Sequence, residues 1–199
     1  MTSGEHAKRE MKEIHRYVVI DLEATTSDDG SLPRDEMETI EIGAVLVNAT
    51  TYEVEGEFQC MVRPVRHTVL TPFCCSLTGI SQEMVDGGPG FAHAMQLLFD
   101  AMPLSEPGVV WSSWGQFDDT QLRRDCAFHG ISYEMPRHMN LKQRFVSAQG
   151  KRSRMGMAAT LELCGLSLEG AHHRALDDAR NIARLLPWCI GERKLDSHT

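Results

Sequence analysis

The alternation of apolar and polar residues divides the chain into elements. The stretch VVIDLE at Val18–Glu23 is an apolar run interrupted at its end by two acids, and it predicts a strand over 16–23. A polar loop, TSDDGSLPRDE, follows. TIEIGAVLVN then predicts a strand over 39–48 and YEVEGEFQCMVR another over 52–63. The short link between them makes these two a hairpin. Residues 64–90 are broken up by Pro64, Pro72, Gly87, Gly88 and Pro89 and are expected to be irregular. Beyond them the pattern predicts a helix over 91–101, a short strand in GVVWSS and a helix from Gln116 to His129. A strand or coil near 131–139 comes next, then helices over 140–147 and 155–164. Leu176, Ala179, Ile182, Ala183 and Leu186 at helical spacing predict a last helix over 175–189. Three strands followed by alternating helices and strands point to an α/β fold with a mixed sheet whose leading part is antiparallel.

A chain of 199 residues with 42% hydrophobic and 24% charged residues suits one folded domain with a proper core. We expect a charged lead-in over 1–15, a domain over 16–190 and a tail over 191–199. No apolar run is long enough to cross a bilayer and the first residues are charged rather than signal-like, so the expected compartment is the cytoplasm. Cys60, Cys74, Cys75, Cys126, Cys164 and Cys189 form no CxxC pair and no zinc-ribbon spacing, which fits free thiols. The net charge of −8 argues against a nucleic-acid partner, but its distribution changes that picture. Between Glu134 and Glu162 there is no acid, while Arg137, Lys142, Arg144, Lys151, Arg152 and Arg154 all fall there. A solvated surface explains that segment as readily as a binding surface.

Three acidic motifs stand at element ends. Asp21 and Glu23 are two apart in a strand and so point to one face. Two carboxylates that close repel unless a cation lies between them or one takes a proton, and carboxylate oxygens suit Mg²⁺ and Mn²⁺. Asp118 and Asp119 follow WSSWGQF and open a helix, where acids also serve as caps. His172 and His173 precede a helix whose first turns contain Asp177 and Asp178, and a histidine beside a metal-binding aspartate is a natural general base. Taken singly, each motif has an ordinary explanation in a solvated strand end or a capped helix. Together they supply the four carboxylates and one imidazole that two-metal phosphodiester hydrolysis needs.

The order and spacing of DLE, WGQFD and HRALDDA resemble the DEDDh group of 3′-to-5′ exonucleases. DLEATT, METIEIGAVLVN, CSLTGISQEMV, NLKQRF, RMGMAATLELCGL and HHRALDDARNIARLL are most similar to its Eri/KapD-like exoribonuclease branch, over about residues 16–187. The resemblance implies an RNase H-like fold, a five-stranded mixed sheet flanked by helices. It implies metal ligands at Asp21, Glu23, Asp118 (after Phe117) and Asp178, holding two divalent cations, Mg²⁺ or Mn²⁺, and a general base at His173. It places Leu77, Thr78, Gly79 and Ile80 against the terminal nucleotide, and Ala24 and Thr25 near its sugar and 3′-hydroxyl. Thr26 departs from the family, since close relatives often have cysteine there.

On this reading the chain is a 3′-to-5′ exonuclease releasing nucleoside 5′-monophosphates from single-stranded ends, RNA favoured over DNA, with no protein partner evident. Arg152 and Arg154, with Lys142 and Arg144, then follow the phosphate backbone. Trp114 and Phe117 are candidates to stack on bases, although Trp111, Trp114 and Trp188 also suit the core. Competing readings are a haloacid-dehalogenase-type phosphatase, a non-catalytic adaptor of the same fold and a separate DNA proofreading subunit.

Overall fold

The computed structural model describes residues 14–151 and 153–195. Residues 1–13 of the expected lead-in, Arg152 and positions 196–199 of the expected tail lie outside the described residues. The strands are β1 (Arg16–Ala24), β2 (Thr39–Asn48), β3 (Val54–Met61), β4 (Val109–Ser113) and β5 (His138–Asn140), in the sheet order β3-β2-β1-β4-β5. β1 and β2, and β2 and β3, pair antiparallel; β4 runs parallel to β1, and β5 parallel to β4. The helices are α1 (Pro72–Thr78), α2 (Gln82–Asp86), α3 (Phe91–Ala101), α4 (Phe117–His129), α5 (Leu141–Gln149), α6 (Met157–Leu163), α7 (Ala175–Arg184) and α8 (Leu186–Cys189).

Both faces of the sheet are covered, and the alternation along β1 sorts its side chains between two cores. Val18, Ile20 and Leu22 pack with Ile42, Ala44 and Trp111 under α3 and α4. Tyr17 and Val19 pack with Val45, Val47 and Val110 under α5 to α8. Asp21 and Glu23 continue this second row of β1, so they emerge on the α7 face just where the strand ends.

The strand and helix pattern holds with three informative differences. Residues 64–90, expected to be irregular, contain α1 and α2. Thr71 caps α1 by accepting the Cys74 N–H at 3.0 Å, with a proline at the helix start, and Ser81 caps α2. These helices are too short to show a 3.6-residue period, so their caps were the only signal. The last helix divides at Leu185, because Pro187 has no N–H to continue the ladder. β3 starts two residues late, at Val54, because Tyr52 sits at a left-handed φ of 61°. β1 leads into an antiparallel hairpin rather than a helical crossover, which removes the phosphatase reading. Residues 191–195 pack back on the body, where Gln149 bonds to the Trp188 and Arg193 carbonyls and to the Leu195 N–H. Among the described residues no helix is long and apolar enough to cross a membrane.

One close approach sets the geometry of the carboxylates. Gly43 pairs with Asp21 across β1 and β2, and the first turn of α7 rests directly on it. A Cβ at Gly43 would stand 2.2 Å from Ala175 C and Leu176 N, where only backbone could move aside. Gly43→Ala is expected to cost about 1–3 kcal/mol by overpacking and to push Asp178 out of the site. Thermal denaturation and activity check this against Gly56→Ala, whose new methyl meets only Leu46 Cβ at 3.9 Å.

Candidate active site

The cleft lies at the carboxyl ends of β1 and β4. It has a volume of about 590 Å³ and is lined by Asp21, Glu23, Asp118, His172, His173 and Asp178, with Trp114, Phe117, Lys142 and the start of α6. Ligand oxygens of Asp21, Glu23 and Asp178 lie within 4.8 Å of one another. Asp118 stands beside them on the first turn of α4. It is tied to the end of β1 through its Oδ1, which accepts the Leu22 N–H at 3.2 Å.

The paired acids of the second and third motifs differ in what their neighbours do, whereas His172 and His173 both line the cleft and both lie within reach of Asp178. Asp119 accepts bonds from Gln116 Nε2 at 2.7 Å, Arg123 Nε at 3.0 Å and Tyr133 Oη at 2.6 Å, so it is spent on anchoring α4. Asp177 accepts the Ala171 N–H and a guanidinium bond from Arg180, both at 2.9 Å, outside the cleft. Asp118 and Asp178 remain turned inward, at 4% and 5% exposure. His173 adopts a left-handed φ of 65°, and its N–H donates to Asp178 Oδ2 at 3.0 Å, which fixes the loop against the helix it precedes. The His172 ring stacks on it at 3.9 Å, with Nε2 3.9 Å from Asp178 Oδ2.

Glu41, absent from the sequence reading, explains how α7 is held. It faces Glu23 across the hairpin and is fully buried. Its oxygens accept the Ala175 N–H at 3.0 Å, the Arg174 guanidinium at 2.9 Å and Gln59 Nε2 at 2.6 Å. α7 has no side-chain cap of its own, so this carboxylate from β2 serves the orphan N–H. An acid in the otherwise apolar IEIGAV was the available signal.

The electrostatics of the cleft's side chains by themselves are unfavourable in a way that a cation would relieve. Burial raises Asp21 well above the usual carboxylate range, helped by Asp118, Glu23, Asp178 and Glu41. Burial, then Asp178, Glu41 and Asp118, push Glu23 up to about 8, with Arg174 opposing. Asp118 is pushed up to about 6 by burial, held back by hydrogen bonds including that from Leu22 and by the charge of Lys142. Asp178 is also raised by burial, and its Oδ1 is buried without a hydrogen-bond partner among the described residues. A buried carboxylate oxygen without a donor, beside two more carboxylates, fits a divalent cation. Burial and then His172 lower His173, which favours the neutral imidazole that can accept a proton.

The expected substrate contacts divide into two groups. Trp114 and Phe117 line the cleft, Phe117 exposed and Trp114 braced by its indole N–H on the Met155 carbonyl at 3.1 Å. Trp111 and Trp188 are buried in the cores. Ala24, Thr25, Leu77, Thr78 and Gly79 are not among the residues lining the cleft. Thr25 is buried, its hydroxyl accepting the Glu38 N–H at 2.9 Å, and the Thr78 hydroxyl donates to the Cys74 carbonyl at 2.9 Å. Leu77 is exposed and Gly79 is the left-handed cap of α1. α1 is tied to the chain beyond Glu23 by the Thr71 hydroxyl on the Thr26 carbonyl at 2.6 Å. Arg154 is exposed on the loop before α6. Missed in the sequence were the Gly156–Ala159 wall and the placement of Lys142 inside the cleft.

The profile of the exonuclease family matches residues 18–186. The chain belongs to the exonuclease family. Among its exonuclease relatives, human 3'-5' exoribonuclease 1 is 34% identical over 175 residues, covering 84% of this chain and 50% of that protein. The chain spans about half or less of the length of such curated relatives. The solved nuclease domain of 3'hExo, described as a DEDDh family member bound to rAMP, is 31% identical with a TM-score of 0.77, covering 87% of this chain and 90% of that one. A 3'-exonuclease described in 3'-end specific recognition of a histone mRNA stem-loop is 30% identical with a TM-score of 0.82, covering 95% and 70%. The RNase H-like exonuclease fold that the motifs implied is therefore the fold of this chain.

Proposed function

We propose that this chain is a divalent-cation-dependent 3′-to-5′ exonuclease that shortens single-stranded nucleic acid from its 3′ end and releases nucleoside 5′-monophosphates. The observation behind this reading is the meeting of Asp21, Glu23, Asp118 and Asp178, from three distant segments, with His173 in one cleft. In our reading Asp21, Glu23, Asp118 and Asp178 hold two cations, Mg²⁺ or Mn²⁺. Such ions would supply an activated water and charge stabilisation at the scissile phosphate. His173 takes the proton of the attacking water. Trp114 and Phe117 stack on terminal bases, Ala24, Thr25, Leu77, Thr78 and Gly79 shape the terminal nucleotide's pocket, and Arg152 and Arg154 follow the backbone.

RNA is the proposed preference over DNA, supported by relatives named exoribonucleases. The domain is assigned to 16–190, and free thiols at all six cysteines fit the reducing cytoplasm. End-labelled single-stranded RNA and DNA of one sequence, incubated with Mg²⁺, Mn²⁺ or chelator, test the proposal. Expected is a ladder shortening from the 3′ end, faster on RNA, with 5′-monophosphate product and no reaction in chelator. Endonucleolytic products or activity in chelator would remove the reading.

A further inference from the structure

We propose that Lys142 is a further catalytic residue, which neutralises the 3′-oxygen that leaves when the terminal nucleotide is cut off; this rests on the exonuclease reading above. Lys142 is the one lysine or arginine among the described residues lining the cleft. Its positive charge acts on Asp118, where it favours the ionised carboxylate. It lies over the turn leading into Asp118, its Nζ 3.8 Å from where a Cβ on Gly115 would be. Asn140 caps α5 by accepting the Gln143 N–H at 3.0 Å, which puts Lys142 in the first helical turn. A cation there opposes the helix dipole, so this placement is unfavourable for the helix alone.

The topology decides which oxygen Lys142 meets. α7, with His173 before it, packs over β2 and β1, whereas α5 packs against β4 and β5. β1, bearing Asp21 and Glu23, lies between these two flanks. In-line displacement sets the attacking and leaving oxygens on opposite sides of phosphorus. With His173 on the attacking flank, the opposite flank, where Lys142 stands, is that of the leaving oxygen. The bond from the water oxygen to phosphorus forms as His173 takes the water's proton. The bond from phosphorus to the 3′-oxygen breaks, and its electron pair stays on that oxygen. Lys142 donates a hydrogen bond to this oxyanion, which becomes a 3′-hydroxyl by taking a proton from solvent; His173 returns its proton to solvent.

The test compares two oligonucleotides that differ only at the last linkage, one with the natural 3′-oxygen and one with a 3′-bridging sulfur, which leaves with little assistance. Both are cut in Mn²⁺ under single turnover. Lys142→Met is expected to slow the oxygen substrate by about 10²-fold, the scale of one lost charge-stabilising donor, but the sulfur substrate by less than about threefold. Lys142→Arg is expected to recover most of the rate. Cleavage of the sulfur substrate by Lys142→Met also reports that the variant is folded. Equal slowing on both substrates, or a raised KM with unchanged rate, overturns the assignment and leaves the exonuclease reading standing. A wild-type chain that cuts neither substrate overturns both.

Discussion

Asp21→Asn is expected to lower turnover by at least about 10³-fold while making the cation-free protein more stable. Asp21 is the carboxylate that Asp118, Glu23, Asp178 and Glu41 all oppose. An asparagine of the same shape removes its charge but also its ability to hold a cation. The pH dependence follows from the same groups. Glu23 is raised to about 8 and Asp118 to about 6, so the folded chain keeps protons that the unfolded chain has already released. What these two groups add to stability without cations is therefore fully present below the ordinary carboxylate range of about 4. It falls as pH rises toward 8. Mg²⁺ or Mn²⁺ competes with those protons, so the rise in Tm on adding cation should be larger at pH 8 than at pH 6. In Asp21→Asn the cation-free Tm at pH 8 should exceed that of wild type by an amount equivalent to about 1–2 kcal/mol, with the cation effect lost. Calorimetric melts at the two pH values check this. A variant with near wild-type turnover or an undiminished cation shift would break the metal argument.

His173→Ala is the second large effect, an expected fall in turnover of about 10²–10⁴-fold with strand binding little changed. The imidazole is already shifted below its ordinary range by burial, so it is a neutral acceptor at neutral pH. The wild-type rate should fall as pH drops through the pKa of His173, and that acid limb should vanish in the alanine variant. His172 lines the cleft as well, but its Nε2 stands 3.9 Å from Asp178 and its ring is more exposed. His172→Ala should cost only a few-fold. If the two variants have equal effects, or if binding is lost along with rate in His173→Ala, His173 acts on the site's shape rather than on a proton.

Much of the site was readable because its residues sit where secondary structure changes. A strand ending in DLE, a helix opening at Asp118 and a loop-to-helix step at His173 each break the apolar pattern, and carboxylates there need a reason. Glu41 was harder to see, because it interrupts a strand in its middle and its partner, Arg174, is 133 residues away. Lys142 was visible as one member of a basic segment, but nothing local distinguishes a lysine on solvent from one turned into a cleft. α1 and α2 were missed because they are too short for a period and depend on Thr71 and Ser81 as caps.

The sequence by itself determined the first four strands and the long helices, because alternation and helical spacing are local consequences of burying one face. Near 131–139 it left strand or coil open, and the structure has only the three-residue β5 at its end. The choice of Asp118 over Asp119, Asp178 over Asp177 and His173 over His172 was implied by resemblance. Both histidines line the cleft, while for the two acid pairs a difference in surroundings is added by the folded chain. There, Arg123, Tyr133 and Arg180 engage the other two carboxylates, and the left-handed backbone at His173 bonds it to Asp178. Convergence itself belongs to tertiary structure: Gly43 has no side chain to hold α7 away and Glu41 supplies its missing cap, so carboxylates 157 residues apart, Asp21 and Asp178, can share one cleft.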